Sequence, residues 1–296
     1  MVIVRLSGGI GNQMFQYAAA RRLALATGAP LKLDLGWFTI IPPGDTPRQY
    51  ELQAFNSVQD VASPKEVKAL RGVDIARWPK LVKRFLNSTG LLLKKSLVTE
   101  KQYHFDPDIL QLHGDVYLDG FWQSVKYFAD VEDVIRKDFT VKPASAPDNE
   151  RMAETIQGAE AVSIHVRRGD YITNQAAVQY HGVSSMDYYR AGISEMTARV
   201  KNPHYFVFSD DPEWVKSNLK ADAALTHIGQ NGPDKGYVDL RLMSLCKHHI
   251  IANSSFSWWG AWLSTNPDKI VIAPKRWFNR DDIDTSDLIP QGWLRL

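Results

Sequence analysis

The residues best suited to chemistry follow a short apolar run that is typical of a buried strand. Ala161-Val-Ser-Ile164 forms this run, and His165, Arg167, Arg168 and Asp170 come shortly after it. Arginine side chains stay charged and present paired N–H donors that match the oxygens of a phosphate. The pattern therefore predicts an anion site, with a diphosphate as the favoured ligand. Ion pairs between the arginines and carboxylates, Asp170 among them, are the open alternative.

Two further polar clusters follow predicted strands in the same half of the chain. Asp210 and Asp211 come after a strand predicted over 205–208, and their carboxylates suit the N–H groups of guanine or the hydroxyls of ribose. A plain helix cap is the alternative for this pair. After 249–252 a serine-rich turn leads into a helix, whose N-terminus favours an anion. The candidate ligand-binding residues of this turn are Asn253, Ser254, Ser255, Phe256 and Ser257.

The fourth cluster lies near the N-terminus, after a strand predicted over 2–6. Gly9 and Gly11 permit a close approach of the backbone, and Asn12 offers an amide at the start of the first predicted helix. Met14 stands where the dinucleotide-binding fingerprint has its third glycine, so the loop is a weak signal by itself. These residues become site candidates because the other clusters also follow strands.

The elements that must position these clusters alternate between strands and helices. The sequence predicts a helix over 12–27, a strand over 31–35, and a second alternating series that ends with a strand over 270–273. This alternation predicts an α/β protein with doubly wound parallel sheets, in which ligands bind beyond the carboxyl ends of the strands. The aromatic side chains of Trp258, Trp259 and Trp262 are predicted to pack in the core.

A stretch rich in proline and alanine, residues 141–149, is the predicted domain boundary. It divides the 296 residues into an N-terminal domain over 1–145 and a C-terminal domain over 146–296. The last segment of the chain is a candidate to pack back on the N-terminal domain. Two domains are the usual expectation for a chain of this length.

Composition excludes several classes of protein. A formal net charge of +2 is too small to predict a nucleic-acid partner. Cys246 is the one cysteine, so no intrachain disulfide forms. The N-terminal apolar run is too short for a signal sequence or an anchor, so the sequence predicts a cytoplasmic protein. A predicted surface helix around 81–86, inside the basic segment 78–97, leaves open a weak peripheral contact with the inner face of the membrane.

No metal or other cofactor is predicted. Asp106 with Asp108, and Asp282 with Asp284, resemble paired carboxylate ligands, but neither pair follows a clear strand. The two arginines offer a way to neutralise a diphosphate without a metal ion.

Five motifs, in order, resemble those of the bacterial α-1,2-fucosyltransferases of glycosyltransferase family 11, over nearly the full length. They are Leu6–Tyr17, Gly120–Phe128, His165–Tyr171, Phe208–Pro212 and Asn253–Ala261. The third motif is also similar to an element of α-1,6- and protein O-fucosyltransferases. The resemblance implies a GT-B-type fold, with two Rossmann-like domains facing a central cleft.

The resemblance also implies an activity and its site. GDP-β-L-fucose is the implied donor, bound by the C-terminal domain. The implied acceptor is the 2-hydroxyl of a terminal galactose on a glycan such as an O-antigen. Arg167 is implied to bind the β-phosphate, with His165 beside the diphosphate or ribose. Asp170 is a candidate base, although orienting the arginines is the favoured role, and Asn12 is an implied orienting group. The implied donor contacts are Gly9, Gly11, Arg168, Asp210, Asp211, Asn253 and Ser254 to Ser257.

Three other functions stay open. One is fucosyl transfer with another linkage, such as α-1,6, which shares the arginine motif but not the motifs at 120–128 and 253–261. A second is an NAD-dependent oxidoreductase, which the incomplete glycine fingerprint disfavours. The third is a non-catalytic protein that binds nucleotide sugars or glycans.

Overall fold

The computed structural model of the protein describes most of the chain, namely residues 1–39, 47–72, 96–169 and 175–296. These residues form two compact units, one ending at Thr140 and the other beginning at Val141. Each unit contains one sheet of parallel strands, which confirms the predicted α/β class. Asp170 and the helix predicted around 81–86 lie outside the described residues. Within the described ranges, no helix is both long and apolar enough to span a bilayer.

The N-terminal unit begins with the predicted strand, glycine loop, helix and strand. In chain order its elements are β1 (Val2–Arg5), α1 (Ile10–Thr27), β2 (Leu31–Asp34), α2 (Pro64–Arg71), β3 (Leu97–Thr99), β4 (Val116–Asp119) and α3 (Glu132–Asp138). Helix α1 ends at Gly28, which adopts the left-handed conformation that favours glycine, with φ of +64°. The strand order is β2-β1-β4-β3, so the carboxyl ends of β1, β4 and β3 follow one another along one edge.

The C-terminal unit is built on a six-stranded sheet. Its strands are β5 (Ala161–Val166), β6 (His204–Ser209), β7 (Leu225–Ile228), β8 (His248–Ile250), β9 (Val271–Ala273) and β10 (Leu294–Arg295). Their order across the sheet is β10-β9-β8-β5-β6-β7. Its helices are α4 (Pro147–Gln157), α5 (Gln175–His181), α6 (Met186–Arg199), α7 (Pro212–Asn218), α8 (Gly236–Leu245) and α9 (Ser255–Leu263).

Both faces of this second sheet are covered, as expected for a doubly wound sheet. Every residue of β5 is buried. One face packs against apolar side chains of α6 and α7, among them Tyr189 and Val215. The other face packs against side chains of α4 and α8, among them Ile156 and Leu242. The core therefore fixes the position of β5, and with it the backbone that leads into the arginines.

Two local features add detail that the sequence did not predict. Helix α4 begins at Pro147, inside the predicted boundary segment, because proline lacks an N–H and its fixed φ suits the first turn of a helix. The last residues add a strand to the C-terminal sheet, where Leu294 pairs with Ile272. The predicted core packing of the tryptophans is confirmed, since Trp258 and Trp259 are fully buried.

Candidate functional site

Three of the predicted polar clusters follow neighbouring strands. Strand β5 pairs with β6 along its whole length, up to Val166 opposite Ser209, and with β8 on its other side. Because all three strands run in parallel, their carboxyl ends lie at the same edge of the sheet. The segments that begin at Arg167, Asp210 and Asn253 therefore share this edge.

The two arginines after β5 pair with the two aspartates after β6. Arg167 Nη1 lies 2.9 Å from Asp210 Oδ2, and Arg168 Nε donates to Asp211 Oδ2 at 3.1 Å. The backbone N–H of Arg168 also donates to Asp210 Oδ1 at 2.8 Å. We call these four residues the arginine–aspartate cluster. Both arginines therefore form ion pairs, and their described partners are the two aspartates that were predicted to contact the nucleotide. The anion site stays a prediction.

Arg168 is tied to helix α7 by a second contact. Its guanidinium carbon lies 3.6 Å from the centre of the Trp214 ring, at the distance of a strong cation–π contact. Asp211 in turn caps α7, because its Oδ1 accepts the N–H of Trp214 at 3.3 Å. Arg168 therefore joins the end of β5 to the start of α7.

Gly169 allows the backbone after the arginines to approach Asp210. A Cβ atom at this position would lie 2.5 Å from Asp210 Oδ2, which is too close for any real side chain. Glycine at position 169 therefore leaves room for the Asp210 carboxylate in the place where it pairs with Arg167.

His165 is a buried, neutral histidine at the end of β5. Burial, and secondarily the neighbouring Arg167, lowers its pKa to about 4, against the raising effect of Asp210. Its ring packs 5.3 Å from the ring of Phe256. Its Nδ1 atom is buried and has no hydrogen-bond partner among the described residues. Buried polar atoms are nearly always paired, so this atom is a candidate contact for a ligand or an ordered water.

The serine-rich turn before α9 combines structural contacts with a helix N-terminus. The buried amide of Asn253 donates to the carbonyls of His181, Gly182 and Trp277 at 2.9, 3.3 and 3.1 Å, so it holds neighbouring loops together. Ser257 is fully buried and donates to the carbonyl of Ser254 at 3.3 Å. Ser254 is the N-cap of α9, with an extended backbone and no side-chain cap bond. The remaining predicted residues of the turn, Ser255 and Phe256, are partly exposed.

The predicted residues of the glycine loop lie in the other unit, at the end of β1. Gly9 is the N-cap of α1, and Gly11 is buried in its first turn. Asn12 is partly exposed, and its Oδ1 accepts a hydrogen bond from Gln123 Nε2 at 2.8 Å. The carboxylate of Glu51, whose pKa is raised by burial, accepts the backbone N–H of Ile10. A carboxyl group therefore already accepts a backbone N–H at the N-terminus of α1, which disfavours a phosphate there.

Sequence reasoning assigned no role to Glu100 and Gln123, which the structure places at the same edge as Asn12. Gln123 follows β4 and Glu100 follows β3. Gln123 lies in the motif at 120–128, which indicated a resemblance to a family. The motif did not indicate that Gln123 contacts Asn12.

The carboxylate pairs that resemble metal ligands take part in turns and ion pairs. Asp106 Oδ1 accepts the N–H of Asp108 at 3.0 Å. Asp282 pairs with Arg280, and Asp284 Oδ1 accepts the N–H of Ser286 at 2.8 Å. Across the described ranges, no three His, Cys, Asp or Glu side chains are grouped so that they could hold a metal ion.

The known proteins that are similar to this chain in sequence are glycosyltransferases. Residues 101–296 match the sequence profile of the family described as Glycosyl transferase family 11. The chain is 35% identical to an alpha-1,2-colitosyltransferase of Escherichia coli, over 100% of this chain and 99% of that protein. It is 36% identical to the O-antigen biosynthesis glycosyltransferase WbnK of Escherichia coli, over 98% and 99%. A galactoside alpha-(1,2)-fucosyltransferase of Rattus norvegicus is 26% identical over 90% of this chain and 64% of its own length.

Among solved structures, the fold is similar to that of the fucosyltransferase NodZ from Bradyrhizobium. The TM-score is 0.50 at 14% identity, over 88% of this chain and 91% of that one. At this identity the likeness concerns the fold, and it agrees with a GT-B-type α/β architecture.

Proposed function

The chain belongs to glycosyl transferase family 11, and we propose that it transfers L-fucose from GDP-β-L-fucose to the 2-hydroxyl of a terminal galactose on a glycan. The arginine–aspartate cluster carries this proposal. A nucleoside diphosphate offers an anion to the arginines and N–H or hydroxyl donors to the aspartates, so one ligand can replace both partners of each ion pair. The named α-1,2-fucosyltransferase relative supports the sugar and the linkage.

The proposed reaction is a single displacement with inversion at the anomeric carbon. The acceptor oxygen forms a bond to the anomeric carbon while the bond between this carbon and the β-phosphate oxygen breaks. The proton of the acceptor hydroxyl leaves to solvent or to a base. Negative charge develops on the departing GDP, and donors fixed in advance near that charge supply the largest catalytic effect. Arg167 is assigned this role, with the neutral ring of His165 beside the diphosphate or ribose. The donor is assigned to the C-terminal unit and the acceptor to the N-terminal unit.

A second donor is favoured by one observation, the 35% identity over the full chain with an α-1,2-colitosyltransferase. Colitose is L-fucose without its 3-hydroxyl. Nucleotide donors of the two sugars carry the same diphosphate and can make the same contacts with the arginines. The choice between them therefore depends on whether a polar group of the protein pairs with the 3-hydroxyl. A site that bonds this hydroxyl would reject the deoxy sugar strongly, whereas a site that packs against it would accept both.

The proposed function is tested by a donor and acceptor panel. The enzyme is incubated with GDP-L-fucose or its 3-deoxy analogue and with glycans that end in galactose, glucose or N-acetylglucosamine. We expect release of GDP and an α-1,2-linked product on the galactose-terminated glycans, with one donor preferred, and unchanged turnover in EDTA. Product linkage is read by NMR. Binding of GDP without turnover on any acceptor would indicate a non-catalytic protein that binds nucleotide sugars. An α-1,6-linked product would overturn the proposed linkage.

A further inference from the structure

A hydrogen-bonded connection joins the carboxyl ends of three parallel strands in the N-terminal unit. Asn12 follows β1, Glu100 follows β3, and the turn Gly120–Gln123 follows β4. Because β4 lies between β1 and β3 in the sheet, the turn has one of these residues on each side.

The turn after β4 has an unusual backbone that Glu100 holds in place. Trp122 has a φ of +55°, in the left-handed region that bulky side chains rarely adopt. Such conformations persist only where the surroundings enforce them, and they concentrate at functional sites. The Glu100 carboxylate accepts the N–H of Phe121 at 2.6 Å and that of Trp122 at 2.9 Å. A Cβ at Gly120 would lie 2.3 Å from Glu100 Cβ, so the carboxylate fits only because position 120 is glycine.

The turn places Gln123 against Asn12. Gln123 is 6% exposed, and its Nε2 donates to Asn12 Oδ1 at 2.8 Å. On the opposite side, a Cβ at Gly8 would lie 2.7 Å from Asn12 Nδ2. Gly8 has a φ of +71°, so both its conformation and its missing side chain suit glycine alone. The oxygen of the Asn12 amide is thus bonded to Gln123, and its nitrogen occupies space that a side chain at position 8 would need.

Asn12 is partly exposed, while its neighbours Gly11 and Gln13 are buried. We propose that Glu100 and Gln123 are positioning residues that orient the Asn12 amide, so that its N–H group meets an oxygen of the acceptor sugar. This inference rests on the proposed function, since it needs a glycan acceptor in the N-terminal unit. A neutral hydroxylated ligand fits this edge better than an anion, because the Glu100 carboxylate lies at it and Glu51 occupies the start of α1.

The test replaces Gln123 with a side chain of the same shape. Gln123→Glu removes the N–H donor to Asn12 Oδ1, so the Asn12 amide loses its fixed orientation. We expect the kcat/KM for the acceptor to fall about tenfold, as for the loss of one substrate hydrogen bond. The Kd for GDP and the slow hydrolysis of the donor without acceptor are expected to stay within about twofold of the wild type. The effect is expected to shrink as the pH is lowered, because the introduced carboxyl then regains a proton to donate.

A double-mutant cycle separates positioning from general destabilisation. If Gln123 acts through Asn12, Gln123→Glu costs acceptor kcat/KM in the wild-type background and almost nothing in an Asn12→Ala background. Glu100→Gln is expected to behave in the same way, because an amide can accept only one of the two N–H groups with its oxygen. Gln59→Glu is the matched control: Gln59 Nε2 donates to Leu52 and Ser57 within the same unit and has no described contact with Asn12.

The outcomes distinguish this inference from the proposed function. Equal costs of Gln123→Glu in both backgrounds, or acceptor kinetics that match the Gln59→Glu control, would overturn the positioning role alone. A wild-type enzyme that transfers no sugar to any glycan would overturn both proposals. A raised donor KM with an unchanged acceptor KM would place Asn12 at the donor instead, and would also overturn the inference.

Discussion

Arg167 is the single residue on which the proposed chemistry depends most. Its guanidinium is held 2.9 Å from Asp210 at the end of β5. Lysine would keep the charge there and lose the planar pair of donors that matches two phosphate oxygens. We expect Arg167→Lys to lower kcat by about 10²–10³-fold, because charge on the departing GDP loses its fixed donors. Steady-state kinetics at saturating donor measures this, with Arg190→Lys, in an exposed ion pair with Asp187, as the control. Turnover near that of the wild type would rule out the assigned role.

The sequence predicted both arginines but could not separate their roles. Adjacent arginines look equivalent when only their types and spacing are known. The structure distinguishes them, because Arg168 packs on Trp214 and bonds Asp211. That contact joins segments about forty residues apart, which is a tertiary property that no local pattern carries. The same limit applies to Glu100, whose importance depends on its distance from the turn at 120–123.

At the scale of the elements, Gly169, which follows β5 and the two arginines, gives a specific prediction. A methyl group there would lie 2.5 Å from Asp210 Oδ2, so the carboxylate that pairs with Arg167 must shift. We expect Gly169→Ala to destabilise the C-terminal unit by less than about 1 kcal/mol, because the displaced group is the end of a partly exposed side chain. Weaker GDP binding is expected as well, and both effects are measured by thermal unfolding with and without GDP.

Gly229→Ala is the matched control for that variant. Gly229 follows β7, and a Cβ at this position meets nothing within 4 Å. If Gly169→Ala and Gly229→Ala bind GDP equally well, close approach at Gly169 does not serve the site.

Elements marked by an apolar run or a helical period were predictable, even where they are short, and two partly exposed strands were not. The 18-residue helix α1 and the six-residue strands β5 and β6 carry clear periodicity or apolar runs. Strands β3 and β7 lie at the edges of their sheets and are mostly only partly buried, so no continuous apolar run marks them in the sequence. The sheet of the N-terminal unit, and with it the edge that brings Glu100 to the turn at 120–123, therefore could not be assembled from the sequence. The polar clusters of the other unit could be, because each follows a strand that the sequence reveals.

At the scale of the whole molecule, several histidines of the C-terminal unit are neutralised by burial. Burial is the largest cause of a lowered pKa in each case, and the value for His165 falls to about 4. The histidines with lowered pKa are His165, His204, His227, His248 and His249. The pKa of Asp239 shifts in the opposite direction, because burial raises it to about 6.

These shifts predict how stability depends on pH. As the pH falls below about 6.5, the unfolded chain takes up protons on histidines that the folded chain keeps neutral, so the free energy of unfolding decreases. Asp239 opposes this, because between about pH 6 and 4 the folded state is the one that gains its proton. Burial raises the pKa of Glu51 and Glu100 as well, so these two carboxyl groups act in the same direction as Asp239. For His165 the loss is about 2 kcal/mol at about pH 5.

Urea unfolding followed by tryptophan fluorescence, at a series of pH values between about 5 and 8, measures this loss of stability. We expect His165→Gln to flatten the pH dependence below about pH 6.5, because glutamine takes up no proton in either state. His113→Gln is the comparison, since His113 is exposed and lies in the other unit. If His165→Gln and His113→Gln keep the same slope as the wild type, the pKa of His165 in the folded protein is close to its ordinary value, and the ring is partly protonated near neutral pH. That outcome would contradict the proposed role of His165 as a neutral group beside the diphosphate.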